Sequence, residues 1–295
     1  MTTDPARPTG ALPPPPVQVE PALAGTVRSG RMGQISSVVR YARDISEVLL
    51  LNRVHASPLQ KRMAGEAATS VRQARFHAHA KIPNLDLSEI VSRLAPEPLP
   101  AVTLPGPREF HGVGNATYYH ALGSLVRALR PTSVLEFGTY LGVGTLTIAL
   151  NAPDDCRIAT VDLPDQQFVQ DAHGLNDADL ALIESSRERV GKAFLQASLG
   201  HRIRQIRADS LRWAPDPSLK PVDFALIDGG HSTAVVRADT ENSLDLLSEG
   251  GTIVWDDYFH LYPDVVDYLD SLAAAGQPLF AIRRTNMVIS NPNLR

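Results

Sequence analysis

Residues 134–145, Val-Leu-Glu-Phe-Gly-Thr-Tyr-Leu-Gly-Val-Gly-Thr, restrict what this chain can fold into more than any other stretch. An apolar β run ends at Glu136, glycines stand at 138, 142 and 144, and Leu-Thr-Ile-Ala-Leu then opens a helix. Strand, glycine turn and helix N-terminus in that order make the unit with which open parallel α/β sheets hold a ligand at their carboxyl edge. Glycine suits such a turn because it has no Cβ to block close backbone approach and readily takes positive φ.

The acid that closes the strand narrows the ligand. A dinucleotide brings a pyrophosphate, which binds at helix N-termini and is repelled by a nearby carboxylate. Glu136 facing the turn instead suits a ribose hydroxyl or an ammonium group, which favours S-adenosylmethionine over NAD. The spacing agrees: Gly138-x-x-x-Gly142-x-Gly144 is not the Gly-x-Gly-x-x-Gly of nicotinamide enzymes. A third reading, a binding protein that keeps the fold without catalysis, is opposed by the intact acid cluster described below.

The chain has 295 residues, 43% of them hydrophobic and 20% charged, enough for one large domain with an appendage. A formal charge of −4 gives no electrostatic footing for nucleic acid. Cys156 is the single cysteine, so no intrachain disulfide is possible and a reducing cytoplasm is the expected compartment. No apolar run reaches the roughly 20 residues a membrane helix needs, and the first residues lack the apolar core of a secretory signal.

Residues 1–30, with Pro13 to Pro16 in a run, read as a disordered or polyproline-like tail. Residues 31–110 read as a helical extension and connector. Ile35, Val38, Val39, Ala42, Ile45, Val48 and Leu49 form one apolar stripe, and a second helix over about 57–80 carries Met63, Ala67, Val71 and Ala74. These stripes need a cover, whether the main domain, a lid over the site or the same helices of a homodimer. Two residues apart on that helix, His77 and His79 face different sides and do not form a metal pair. Residues 111–295 alternate strand and helix. Asn115 caps a helix through 129, and strands follow at 133–137, 157–162, 202–207, 222–228, 251–256, 278–283 and 286–290. Helices at 179–197, 232–247 and 262–275 lie between them. This pattern predicts a Rossmann-like, doubly wound, mostly parallel seven-stranded sheet with an N-terminal helical extension.

Glu136, Asp162, Asp228 and Asp256 all fall at strand ends, hence on one sheet edge. Gathering carboxylates there is costly unless they bind hydroxyls or cations. Asp162 is placed to accept ribose hydroxyls, or else to cap the turn before Pro164. Asp209 and Ser210 lie where a purine amine would be read, or Asp209 caps the helical turn at Leu211. Asp228-Gly-Gly-His231 and Asp256-Asp257-Tyr258 close neighbouring strands, so three carboxylates converge. They suit Mg²⁺, a hard cation with oxygen ligands, or they cap the following helices. His231 is the best candidate general base, or an inert histidine on a first helical turn. Tyr258 and His260 are expected near the substrate by position alone.

With these residues assembled, 111–290 resembles a class I S-adenosylmethionine-dependent methyltransferase. Leu135-Glu-Phe-Gly-Thr-Tyr-Leu-Gly142 is similar to the first motif of catechol O-methyltransferase-like enzymes. Ile227-Asp-Gly-Gly-His-Ser232, Gly250-Gly-Thr-Ile-Val-Trp-Asp-Asp-Tyr258 and the closing Arg284-Thr-Asn-Met-Val-Ile289 resemble bacterial sugar O-methyltransferases of the macrocin type. The resemblance implies Gly138, Tyr140 and Gly142 around the methionine moiety and Asp162 on the ribose. It puts Asp209 and Ser210 at the adenine, and Asp228, Asp256 and Asp257 on a divalent metal. It also implies a base at position 231, a lysine in the catechol type and His231 here. The third metal ligand is an asparagine in that type and Asp257 here. The long connection after Asp162 suggests an active-site flap at 166–177. The expected activity is O-methylation of a small hydroxylated molecule such as a natural product or sugar, with Mg²⁺ assistance. Its runner-up is a metal-independent O- or N-methyltransferase using His231 as base. Neither involves nucleic acid or membrane.

Overall fold

Alternation inside single strands decides which helices cover which face of the sheet. The computed structural model describes residues 72–73, 75–95, 101–106, 116–164, 175, 177–186 and 189–294. The tail 1–30, the helix expected from 33, most of the second helix, Asn115 and nearly all of the 166–177 segment lie outside the described residues. Among the elements whose bounds are described, strand β1 (Asn84–Leu85) and helices α1 (Leu87–Leu94) and α2 (Ala116–Leu129) come first. Then follow β2 (Ser133–Phe137), α3 (Val143–Asn151), β3 (Arg157–Asp162), α4 (Asp177–Ser186), α5 (Lys192–Gln196), β4 (Ile203–Arg207) and β5 (Val222–Ile227). The chain closes with α6 (Thr233–Leu246), β6 (Leu247–Trp255), α7 (Pro263–Ala274), β7 (Phe280–Ile282) and β8 (Val288–Ser290).

Val134, Phe224 and Leu226 point to one face and pack against α1, α2, α3 and α5 through Ile90, Leu122, Leu125, Leu146 and Phe194. Leu135, Phe137, Ala225 and Ile227, one residue out of phase, point to the other face and meet α6 and α7 through Val236, Leu246, Val265 and Leu269. A period of two in the strands thus feeds two cores. Each such fully buried side chain contributes roughly 1.5–3 kcal/mol.

The sheet has eight strands in the order β1-β7-β8-β6-β5-β2-β3-β4. Every pair is parallel except those that β8 makes with β6 and β7. The expected count of seven is corrected by β1, which adds at the edge beside β7 from a segment read as an extended connection. Two residues carry no periodicity, so only the pairing itself reveals such a strand. The helix expected over 179–197 is also corrected. α4 ends at Ser186 and α5 begins after Gly191, whose φ of +76° puts it in the left-handed region. No helix among the described residues is long and apolar enough to cross a membrane.

The strand order reverses at β2, which pairs with β3 on one side and β5 on the other. Ligands of open α/β sheets sit at that switch point, off the carboxyl ends. Backbone bonds extend the ladder beyond the strands there. Gly138 N donates to Val161 O (2.8 Å), Asp228 N to Phe137 O (2.9 Å) and Asp256 N to Ile227 O (2.9 Å). Asp162, Gly138, Asp228 and Asp256 are therefore set side by side along one edge.

Candidate active site

A cavity of about 450 Å³ opens at this edge. Glu136, Gly138, Tyr140, Asp162, Asp209, Ser210, Asp228, His231, Asp256 and Asp257 all line it, and Gly142 begins the helix behind it. The glycine turn is tight for a stated reason. Gly138 has φ +94°, and a Cβ there would overlap the carbonyl oxygen of Asp228. Gly142 has φ +80°, and a Cβ there would lie 2.7 Å from the Phe194 ring. Tyr140 between them takes φ +44° without being glycine.

Glu136 is 1% exposed, beneath the first turn of α3. Its Oε2 accepts from the Thr145 hydroxyl. A Cβ on residue 144 would stand 2.7 Å from Oε1, which explains the third glycine of the motif. Burial pushes this carboxyl up to about 8, against the pull of hydrogen bonds from Thr145 and Thr160. Asp162 turns both oxygens toward backbone. Oδ2 accepts from Tyr140 N (2.8 Å) and Oδ1 from Leu163 N (2.8 Å). Each oxygen keeps a second lone pair, so these backbone contacts leave Asp162 able to accept a further hydrogen bond at the cavity. Burial raises its pKa, and those N–H groups resist the rise.

Asp228, Asp256 and Asp257 each offer an oxygen within 4.8 Å of the others. Burial first, then mutual repulsion, raises the pKa of Asp228 and Asp256. Asp256 Oδ1 is buried with no hydrogen-bond partner among the described residues. Asp257 is held in place by a left-handed backbone, φ +61°. An orphaned buried carboxylate oxygen beside two further carboxylates fits a divalent cation, which would satisfy the oxygen and cancel the repulsion.

His231 has both ring nitrogens engaged. Nδ1 lies against Asp179 Oδ1, and Nε2 is 2.8 Å from Asp257 Oδ2. Its ring stacks on Tyr262 with centroids 4.1 Å apart. Burial would lower its pKa, but the two carboxylates outweigh burial and hold it near 10. In this arrangement the imidazole is a cation that donates at both ends, and no lone pair faces the cavity.

Several lining residues were not read from sequence. Tyr118 donates its hydroxyl to Asp228 Oδ2 (2.7 Å) and Tyr119 lies beside it, their rings edge to face. On an amphipathic helix a tyrosine reads as core, so nothing marked them. Asp179 on α4 and Asp239 on α6 are both buried, and neither was singled out in the sequence. The amide of Gln73 reaches Asn286 Oδ1 (2.8 Å) at the mouth, and His77 bonds Asn84 and the Thr285 carbonyl. The end of the second expected helix thus rests on the sheet side of the cavity, with His77 buried and His79 exposed. Tyr258 and His260, expected near the substrate, line a separate cavity instead. The Tyr258 hydroxyl turns inward to Asp270 (2.7 Å), and Tyr262 takes the place at the site.

Residues 135–258 match the family model described as a methyltransferase domain. A candidate caffeoyl-CoA O-methyltransferase of Arabidopsis thaliana is 28% identical over 141 residues, covering 46% of this chain and 51% of that one. Tapetum-specific methyltransferase 1 of the same plant is 27% identical over 139 residues, covering 46% and 50%. The chain therefore spans about half the length of the curated relatives it matches. An O-methyltransferase from Bacillus cereus solved with S-adenosylhomocysteine shares 17% identity at a TM-score of 0.43, covering 70% of this chain and 90% of that one.

Proposed function

We propose that the methyltransferase domain over residues 135–258 transfers the methyl group of S-adenosylmethionine to a hydroxyl of a small molecule, a natural product or sugar, with help from a divalent cation. The observation that carries this is the convergence of Asp228, Asp256 and Asp257 beside the glycine turn, inside one cavity of about 450 Å³. That volume lies within the usual range for small-molecule sites.

In the transfer the acceptor oxygen forms a bond to the methyl carbon while the carbon–sulfur bond breaks. The electron pair goes to sulfur, giving S-adenosylhomocysteine, and the hydroxyl proton must leave to a base. A cation held by the three aspartates would lower the pKa of the acceptor hydroxyl. Asp162 accepts ribose hydroxyls, Glu136 faces a ribose hydroxyl or the ammonium group, and the turn at Gly138–Gly142 admits the methionine moiety. His231 is the proposed proton acceptor, with Asp179 fixing its ring through Nδ1 and Tyr262 stacked on its face. Its Nε2 accepts a proton only from the neutral ring, a state that a cation taken up by Asp257 would favour by drawing that carboxylate away from the imidazole. Methyl transfer from radiolabelled S-adenosylmethionine to a panel of hydroxylated small molecules, with and without Mg²⁺, tests the reading. His231→Ala should lose roughly 10²- to 10⁴-fold in turnover while S-adenosylhomocysteine affinity holds. Wild-type turnover in the variant would remove His231 from the mechanism.

The His231–Asp257 pair supports the second reading, a metal-independent O- or N-methyltransferase using His231 as base, because the imidazole occupies a carboxylate oxygen that a cation would need. Calorimetric titration with S-adenosylhomocysteine and Mg²⁺ separates the two. Heat of Mg²⁺ binding that disappears in Asp256→Asn supports the cation, and no heat in the wild type leaves the metal-free form. A homodimer through the N-terminal helices and a cytoplasmic setting complete the proposal. Sedimentation of the full chain tests the first.

A further inference from the structure

The purine end of the cavity holds an acid that the sequence reading did not use. Asp209 is already engaged: its Oδ1 accepts from Leu211 N (3.1 Å) and its Oδ2 faces Arg212 Nη1 (3.6 Å). It caps its own turn, as the bland alternative had it. Behind it, on α6, Asp239 is 1% exposed and lines the same cavity. Its side chain is hydrogen-bonded to that of Ser210, and burial pushes its carboxyl up to about 7. Oδ1 has no hydrogen-bond partner among the described residues. Residue 229 is glycine, and a Cβ there would stand 2.9 Å from Asp239 Oδ2, so the carboxyl packs against bare backbone where both residues line the cavity. A buried acceptor without a donor costs about 1–3 kcal/mol, so a ligand N–H placed against it recovers that much.

We propose that Asp239, rather than Asp209, is the acceptor that selects the adenine ring of the cofactor, its Oδ1 taking a hydrogen from the exocyclic amine while Ser210 fixes the carboxyl. The inference rests on the S-adenosylmethionine reading of the cavity. Asp239 is a binding residue and takes no part in the transfer itself. Discrimination by one such contact is on the order of 5- to 150-fold, the range of a single well-made base contact.

The test measures dissociation constants by calorimetry for S-adenosylhomocysteine and for its analogue with hydrogen in place of the amine. Wild type should prefer the natural ligand by about tenfold or more. Asp239→Leu, near-isosteric but without an acceptor, should lose that preference, weakening S-adenosylhomocysteine while leaving the analogue within about twofold. Asp209→Ala should keep the preference. Equal binding of the two ligands by wild type overturns the proposal without any variant, so a folding defect in Asp239→Leu cannot shelter it. Equal weakening of both ligands in Asp239→Leu also overturns it, since that marks a packing role. If wild type binds neither ligand, the cofactor reading itself fails and takes this assignment with it.

Discussion

Replacing Glu136 with glutamine should make the protein more stable at alkaline pH, although the residue belongs to the proposed site. The carboxyl is 1% exposed, and its pKa is pushed from an ordinary 4.5 to about 8, chiefly by burial. In the folded protein it therefore keeps its proton at pH values where the unfolded chain has lost it. More protons bound in the native state means stability falls as pH rises. The loss begins near 4.5, grows through the interval and is complete above about 8. At about 1.4 kcal/mol per tenfold change in proton affinity, the full penalty is up to roughly 5 kcal/mol. Glutamine keeps the shape and an oxygen for the Thr145 hydroxyl, and has no charge to desolvate. Melting temperatures of wild type and Glu136→Gln, taken from pH 4 to pH 9.5, give a difference curve in which the other acids largely cancel. We expect near-equality at pH 4 and a gain for the variant on the order of 10 °C at pH 9. A level difference across that range, or a variant less stable at pH 9, would refute the reasoning. The same variant should bind S-adenosylhomocysteine more weakly, which places its loss of function apart from its gain in stability.

Three further substitutions follow from the same geometry. Gly138→Ala should destabilise by more than the roughly 1–2 kcal/mol of left-handed strain, because its Cβ overlaps the Asp228 carbonyl; Gly250→Ala, at φ +80° with open space around it, should cost the strain alone. Chemical denaturation of both variants checks the ordering. Tyr118→Phe removes the hydroxyl that bonds Asp228, costing roughly 1.5–3 kcal/mol where that acid is ionised and less where it is protonated. Denaturation at pH 9 and pH 5 should show the larger loss at pH 9.

What the sequence disclosed depended on how local the signal was. The unit from β2 to α3 was legible because three glycines, an acid and an apolar run fall within twelve residues, each with one backbone meaning. The carboxylate edge was legible because parallel strands put every strand end at the same rim. Strand β1 was not, since two residues pair by tertiary contact alone. Tyr118 and Asp239 were missed because helical periodicity says which side faces the sheet, not which turn reaches beyond it into a cavity. Gly191 was available as a warning: a glycine in the middle of an expected helix marked the break between α4 and α5, and its Cβ would crowd the Phe194 ring. For His231 the residue was legible and its partners were not, because Asp179 stands 52 positions away and meets it only through the fold.

Asp257 sits in the left-handed backbone region at φ +61°. Aspartate and asparagine tolerate that conformation far better than other side chains bearing a Cβ. Evolution or an engineer can therefore exchange one for the other at this position without reshaping the loop, and the formal charge of the triad moves from −3 to about −2 in a single step. Any ion preference of the proposed cation site is thus decoupled from the architecture that carries it, and can drift while the fold stays fixed.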